Sequence, residues 1–95
     1  MATKVALLHM ELMIPDAMSL KDKRRIVKGF KDRIAHRWNV SISEVDHVGS
    51  IRQVVLAVAM VGSDGRYMRG AMDKIVDTAK ANRSLVLLDY EIEIL

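Results

Sequence analysis

Five acidic and histidine side chains are of the types that could coordinate a metal ion or transfer a proton. His9 and Glu11 lie two residues apart, and Glu44, Asp46 and His47 lie together in a second segment. Carboxylates and imidazoles that converge can bind a divalent cation or act as general acid and base. A third predicted strand separates the strands that carry the two sets. We therefore expect no convergence, no metal or other cofactor, and no catalysis.

Other groups on which enzyme sites depend are missing from the sequence. It contains no cysteine, which excludes thiol catalysis and thiolate metal sites and fits a reducing compartment such as the cytoplasm. It has neither standard Gly-rich phosphate loop nor a nucleophile elbow. An acylphosphatase-like hydrolase is thus a disfavoured third alternative. Glu11 and Pro15 interrupt the first apolar stretch, so we expect no secretory signal and no membrane span.

Positive charge is concentrated in one segment of the chain. Residues 19–37 contain eight Lys and Arg against two Asp, so a chain of net charge +3 divides into a segment of +6 and a remainder of −3. Cations in the first turns of a helix oppose its macrodipole, so stability alone does not select them. We predict a surface that binds phosphate groups, the alternative being an ordinary solvated basic face. The predicted contacts are Ser19, Lys21, Lys23, Arg24, Arg25, Lys28 and Lys31.

Strands are predicted wherever apolar residues alternate with polar ones. This pattern occurs over residues 4–14 and 88–94, and less regularly over 40–47, which we interpret as an edge strand with an irregularity. Residues 53–61 are apolar on both faces after the first position, which is typical of a central strand. The sequence therefore predicts four strands.

Two helices connect these strands. Ser19, followed three residues later by Asp22, resembles a capping box and predicts the start of the first helix. Apolar residues then recur at spacings of three, four and seven, which gives that helix one buried stripe. Ser63 or Asp64 can cap the second helix, which we expect to end at residues 82–84.

The predicted element order, β-α-β-β-α-β, defines the fold class. Right-handed crossovers interleave the two halves, giving an α+β ferredoxin-like domain with strand order 4-1-3-2 and both helices on one face of an antiparallel sheet. Residues 1–95 are expected to form this single domain because a second core would be too small to be stable.

The open face of the predicted sheet carries two kinds of residue. Its acidic positions on the first and last strands repel phosphates, so RNA should bind along the first helix and not on the sheet. An uncovered apolar face often binds another chain, and we therefore predict a homodimer. The alternative is an exposed apolar patch that binds no partner. The predicted interface residues are Leu7, Val55, Ala57, Ala59 and Leu87.

Three segments resemble the YlxP-like family of bacterial proteins, and the resemblance covers nearly the whole chain. They are residues 19–25 (SLKDKRR), 39–47 (NVSISEVDH) and 88–93 (LDYEIE). The resemblance implies a ferredoxin-like fold and a domain of unknown function without an established activity. Genes of this family often lie beside those for translation and ribosome maturation, which implies RNA or a ribosomal particle as partner.

Two functions follow as hypotheses. The first is a non-catalytic module that binds RNA or ribosomal particles through its basic first helix. The alternative is a homodimeric protein-interaction module without a nucleic-acid role, in which the basic helix only solubilises the protein.

Overall fold

Residues 2–95, which the computed structural model of the chain describes, form four strands and two helices in the predicted order. The strands are β1 (Lys4–Met13), β2 (Ser41–Asp46), β3 (Gln53–Gly62) and β4 (Val86–Ile94). The helices are α1 (Leu20–Arg37) and α2 (Gly65–Ala81).

The four strands form one antiparallel sheet in the order β2-β3-β1-β4. This is the predicted order read from the opposite edge, so the α+β class and the topology are confirmed. The central pair, β1 and β3, is in continuous register from Lys4 opposite Gly62 to Met13 opposite Gln53. Such a long uninterrupted ladder gives the two helices a regular surface to pack on.

The core lies between the sheet and the helices. Alternate residues of β1 and β3 are buried, and the same face receives one stripe from each helix. On α1 this stripe includes Val27, Phe30 and Ile34, and on α2 it includes Met72 and Ile75. Burial of side chains of this size contributes about 1.5–3 kcal/mol each, which makes this layer the main source of stability.

A β-bulge corrects the prediction for Leu87. The register of β4 against β1 shifts between Glu11 and Leu12, so Glu11 pairs with Asp89 while Leu12 pairs with Leu87. One extra residue, Leu88, is accommodated there, and residues before a bulge change face relative to a regular strand. Leu87 packs against the core, whereas Leu88 is 47% exposed. Leu87 is therefore not part of the open sheet face, and its prediction as an interface residue is wrong.

A second bulge lies in the edge strand β2, where an irregularity was predicted. The register against β3 shifts between Glu44 and Asp46, so Glu44 pairs with the buried Leu56 and Asp46 pairs with Val55. Glu44 consequently lies on the helix side of the sheet. Its carboxylate reaches toward α1 instead of toward the open face.

Side-chain caps fix the beginnings of both helices. Ser19 Oγ accepts a hydrogen bond from the Asp22 backbone N–H at 3.1 Å, as the capping pattern predicts. Asp64 Oδ1 accepts from the backbone N–H groups of Arg66 and Tyr67, at 3.1 and 3.2 Å. Of the two residues predicted as the cap of α2, Asp64 is the one used.

Candidate nucleic-acid interface

The exposed side of α1 is the most basic surface among residues 2–95. Arg25 and Lys28 leave 76% and 74% of their side chains exposed, and Lys21 and Arg24 are exposed as well. Lys31 is partly buried. These five side chains, which we call the basic surface, project from one helix because the opposite stripe of α1 is held against the sheet. A row of mobile cations on a rigid helix suits contact with a polyanion.

Lys23 is not part of the basic surface, and its prediction as a phosphate contact is wrong. Its side chain is 1% exposed, and its ammonium donates to the carbonyl oxygens of His47 and Ser50, both at 2.7 Å. Glu44 Oε2 lies 3.4 Å from the same ammonium. Lys23 falls on the buried stripe of α1, and a buried charge needs partners of this kind. These hydrogen bonds therefore attach the turn between β2 and β3 to the helix, an arrangement that we call the clasp.

The first turn of α1 contains a carboxylate, that of Asp22. Asp22 Oδ2 accepts from the Met18 backbone N–H at 3.0 Å, and Asp22 Oδ1 lies 3.9 Å from Arg25. Ser19, predicted as an anion contact, serves as the helix cap. Since Asp22 and the cap use backbone N–H groups at the N-terminus, contact with a phosphate depends on the Lys and Arg side chains of α1.

Two grooves flank α1 and differ in charge. The groove on the β2 side encloses about 350 Å³ and places Arg24, Lys28 and Lys31 beside the carboxylates of Asp32 and Glu44. Lys28 already donates to Asp32 at 2.6 Å. The cations of this groove are thus partly neutralised from within the protein.

The groove on the other side of α1 lies against the turn after α2 and encloses about 380 Å³. We call it the arginine groove. Its polar and glycine lining residues are Arg25, Gly29, Arg33, Asn82, Arg83 and Ser84. Sequence reasoning did not assign Arg33 or Arg83 to a site. The spacing of Arg25, Gly29 and Arg33 by four residues places them on one helix flank, but the approach of Arg83 depends on tertiary packing.

One block of negative charge lies on the far side of the molecule from α1, as predicted. On the open face of the sheet Glu11 pairs with Asp89, His9 with Glu91, and Leu7 with Glu93, across adjacent strands. Side chains directly opposite one another on two strands share the same face. The carboxylates therefore form a block at the β1–β4 side of the open face, separated from the basic surface by the whole core.

The two candidate acid-base sets do not come together. His9 and Glu11 lie on the open face of β1, whereas Glu44 lies on the helix side of β2, with β3 between them. Asp46 Oδ1 accepts from the His47 backbone N–H at 2.7 Å, and His47 has a left-handed φ of 57°. Within residues 2–95, no group of three or more His, Cys, Asp or Glu is placed to hold a metal ion.

An apolar strip runs down the middle of the open face. Ala59 lies opposite Leu7, Ala57 opposite His9 and Val55 opposite Glu11, with all three β3 side chains partly buried. The predicted interface residues Leu7, Val55, Ala57 and Ala59 thus share this face.

Neither helix of the part described is long and apolar enough to cross a membrane.

Comparison with known protein families agrees with the resemblance to the YlxP-like family. The pattern of the family described as "Protein of unknown function (DUF503)" matches residues 5–92, and the chain belongs to this family. A curated relative, "Uncharacterized protein YlxP" of Bacillus subtilis (strain 168), is 38% identical over 53 residues, which cover 56% of this chain. The matched part spans 58% of that relative's length. The YlxP-like assignment is confirmed.

A designed protein shares the fold. The structure of "De novo designed protein Foldit4" matches with a TM-score of 0.55 at 14% identity, covering 97% of this chain and 96% of the designed one. At that identity the likeness shows the fold alone, because one fold hosts many unrelated functions.

Proposed function

We propose that the protein is a non-catalytic module that binds the phosphate backbone of RNA, as on a ribosomal particle, through the basic surface of α1. The observation that carries the proposal is the segregation of charge. Lys21, Arg24, Arg25 and Lys28 are exposed on one helix, while the carboxylates of β1 and β4 lie on the opposite face. A dipolar protein of this kind presents its positive side to an approaching polyanion.

Binding through these side chains is expected to depend on salt and to ignore base sequence. Lys and Arg contacts to phosphates gain free energy by releasing counterions, which contributes affinity but does not discriminate bases. No Phe, Tyr or Trp side chain lies on the exposed side of α1, because Phe30 is buried, and the one exposed ring within α1 is the imidazole of His36 in its last turn. We therefore expect structured RNAs of different sequence to compete with similar affinity.

A charge reversal separates RNA binding from folding. Lys21 and Arg24 are the second and fifth residues of α1, and Glu at such positions interacts favourably with the helix macrodipole. The double variant Lys21→Glu, Arg24→Glu should therefore still fold, because the macrodipole offsets the repulsion that a carboxylate at position 24 meets from Glu44. We expect its affinity for a structured RNA, measured by filter binding at low salt, to fall by about 100-fold or more, because two contacts become repulsive.

The second helix supplies a matched control. Arg66 and Arg69 are the second and fifth residues of α2, are exposed, and lie near the opposite end of the antiparallel helix pair. Arg66→Glu, Arg69→Glu makes the same change in net charge and should lower affinity much less. Equal losses in the two double variants would show that only net charge matters. Absence of RNA binding by the wild type at low salt would refute the proposal.

A second candidate function rests on the apolar strip. Leu7, Val55, Ala57 and Ala59 are only partly buried on a sheet face that no helix covers. A second copy of the chain packed on this face would bury them, making the protein a homodimeric interaction module. Sedimentation of wild type and Ala57→Lys tests this, since a lysine in the middle of the strip should convert a dimer to a monomer. A wild type that sediments as a monomer excludes the dimer.

A further inference from the structure

The arginine groove collects positive charge without a counter-charge in its lining. Three arginines, Arg25, Arg33 and Arg83, line it, and no acidic residue does. Within residues 2–95, the one ion pair made by any of the three joins Arg25 to Asp22, at 3.9 Å and largely exposed. Like charges collected without counter-charges repel one another, so packing and stability do not account for the arrangement.

Gly29, which lines the groove, is likewise unexplained by packing. It lies in the middle of α1, where glycine destabilises a helix relative to almost any other residue. A Cβ built on Gly29 would meet no described heavy atom within 4 Å outside its immediate chain neighbours and the helix backbone. Space for a side chain is therefore present and unused. Bare backbone at this point leaves the groove open to a ligand between Arg25 and Arg33.

The turn after α2 presents the third arginine. Asn82 Oδ1 accepts from the Ser84 backbone N–H at 2.9 Å, and the Leu85 backbone N–H donates to the Asn82 carbonyl at 3.2 Å. These bonds hold Arg83 at the tip of a tight turn that faces α1 across the groove. Guanidinium groups from two separate elements can thus approach one ligand from two sides.

We propose that the arginine groove binds a phosphate of an RNA backbone beside Gly29. This inference rests on the proposed function and assigns one specific site within it. Guanidinium groups recognise phosphate oxygens with paired, charge-assisted hydrogen bonds, and a sugar-phosphate chain needs a shallow open groove of this kind. The groove on the β2 side is less suitable, because Asp32 and Glu44 lie among its cations.

Gly29→Gln tests the site through two effects of opposite sign. Glutamine favours the helix, so the variant should unfold at a higher urea concentration than the wild type. Its side chain should also occupy the groove and exclude the phosphate. RNA binding should then weaken by about tenfold or more, which corresponds to the loss of one charge-assisted hydrogen bond. Gly70→Gln is the matched control, because Gly70 is also helical, has no described atom within 4 Å of a built Cβ, and does not line the groove. It should raise the urea midpoint and leave affinity within about twofold.

Removal of the two other arginines gives an independent measurement. Arg33→Gln, Arg83→Gln should lower RNA affinity and reduce the slope of log affinity against log salt by about 1 to 2. The control Arg66→Gln, Arg69→Gln removes the same net charge outside the groove and should leave the slope nearly unchanged.

The outcomes distinguish this site from the general proposal. If Lys21→Glu, Arg24→Glu weakens RNA binding while Gly29→Gln and Arg33→Gln, Arg83→Gln bind like the wild type, the groove is refuted and the basic surface stands. If the wild type binds no RNA, both are refuted. Weakening by Gly29→Gln without weakening by Gly70→Gln, in two well-folded proteins, supports the groove.

Discussion

Replacement of Lys23 by methionine should destabilise the protein more than any other lysine substitution in α1. The change keeps the aliphatic stem on the buried stripe but removes the ammonium from the carbonyl oxygens of His47 and Ser50, each 2.7 Å away, and from Glu44. The Ser50 oxygen would lose this partner, and the His47 oxygen would keep only the Ser50 backbone N–H, at 3.0 Å. Glu44, whose side chain is 20% exposed, would lose its counter-charge. The turn between β2 and β3 would then no longer be held to α1.

The expected cost follows from these contacts. A hydrogen bond to a charged group contributes about 1.5–3 kcal/mol, and removal of one member of a buried ion pair typically costs about 3–5 kcal/mol. We therefore expect Lys23→Met to lower the free energy of unfolding by about 3–5 kcal/mol. Urea denaturation followed by circular dichroism measures the change. A loss of this size is a large part of the total stability of a small domain.

An exposed lysine of the same helix supplies the control. Lys28 is 74% exposed and pairs with Asp32 four residues away at 2.6 Å, an arrangement that contributes about 0.3–0.5 kcal/mol. Lys28→Met should therefore cost less than about 0.5 kcal/mol. If Lys23→Met costs less than about 1 kcal/mol, the clasp between α1 and the turn is not a major source of stability, and the role assigned to Lys23 is refuted.

The remaining predictions concern a helix cap, a bulge and a strained turn, all read out by urea unfolding. Asp64→Ala removes the acceptor for two backbone N–H groups at the start of α2 and should lower the free energy of unfolding by about 1 kcal/mol. Equal stability of variant and wild type would show that the cap does not stabilise α2. Leu87→Asp should lower the free energy of unfolding by about 2 kcal/mol or more, because Leu87 packs on the core. Leu88→Asp should lower it by less than about 0.5 kcal/mol, since Leu88 is bulged outward. The reverse order would contradict the assigned register. His47→Gly should gain up to about 1 kcal/mol, because glycine adopts φ near 57° without steric cost. A loss there would mean that the histidine side chain stabilises the turn.

The elements and the topology of the fold could be predicted because they depend on local patterns. Alternation in β1, the buried stripe of α1 and the cap at Ser19 are properties of neighbouring residues, and all are found in the structure. The strand order follows from element order and the handedness of crossovers. The separation of the basic helix from the acidic strand β4 follows in turn from that topology.

The features that sequence reasoning missed depend on long-range packing. The face occupied by Leu87 is set by a bulge that arises only when β4 pairs with β1. The buried position of Lys23 on the α1 stripe was visible in the sequence, but its carbonyl partners are 24 and 27 residues away. Arg83 lines a groove with Arg25 and Arg33 only in the folded domain. Such contacts leave no periodic signal, so the sequence does not show which partners a lysine on the buried stripe finds.

The most direct test of the account is to locate RNA on the folded protein. We would titrate a structured RNA into the ¹⁵N-labelled protein and follow the backbone amides by NMR. The account predicts shifts along α1 and at residues 82–84, reversed by added salt, with residues 88–93 of β4 unaffected. Shifts confined to the open sheet face, or no shifts at low salt, would contradict it.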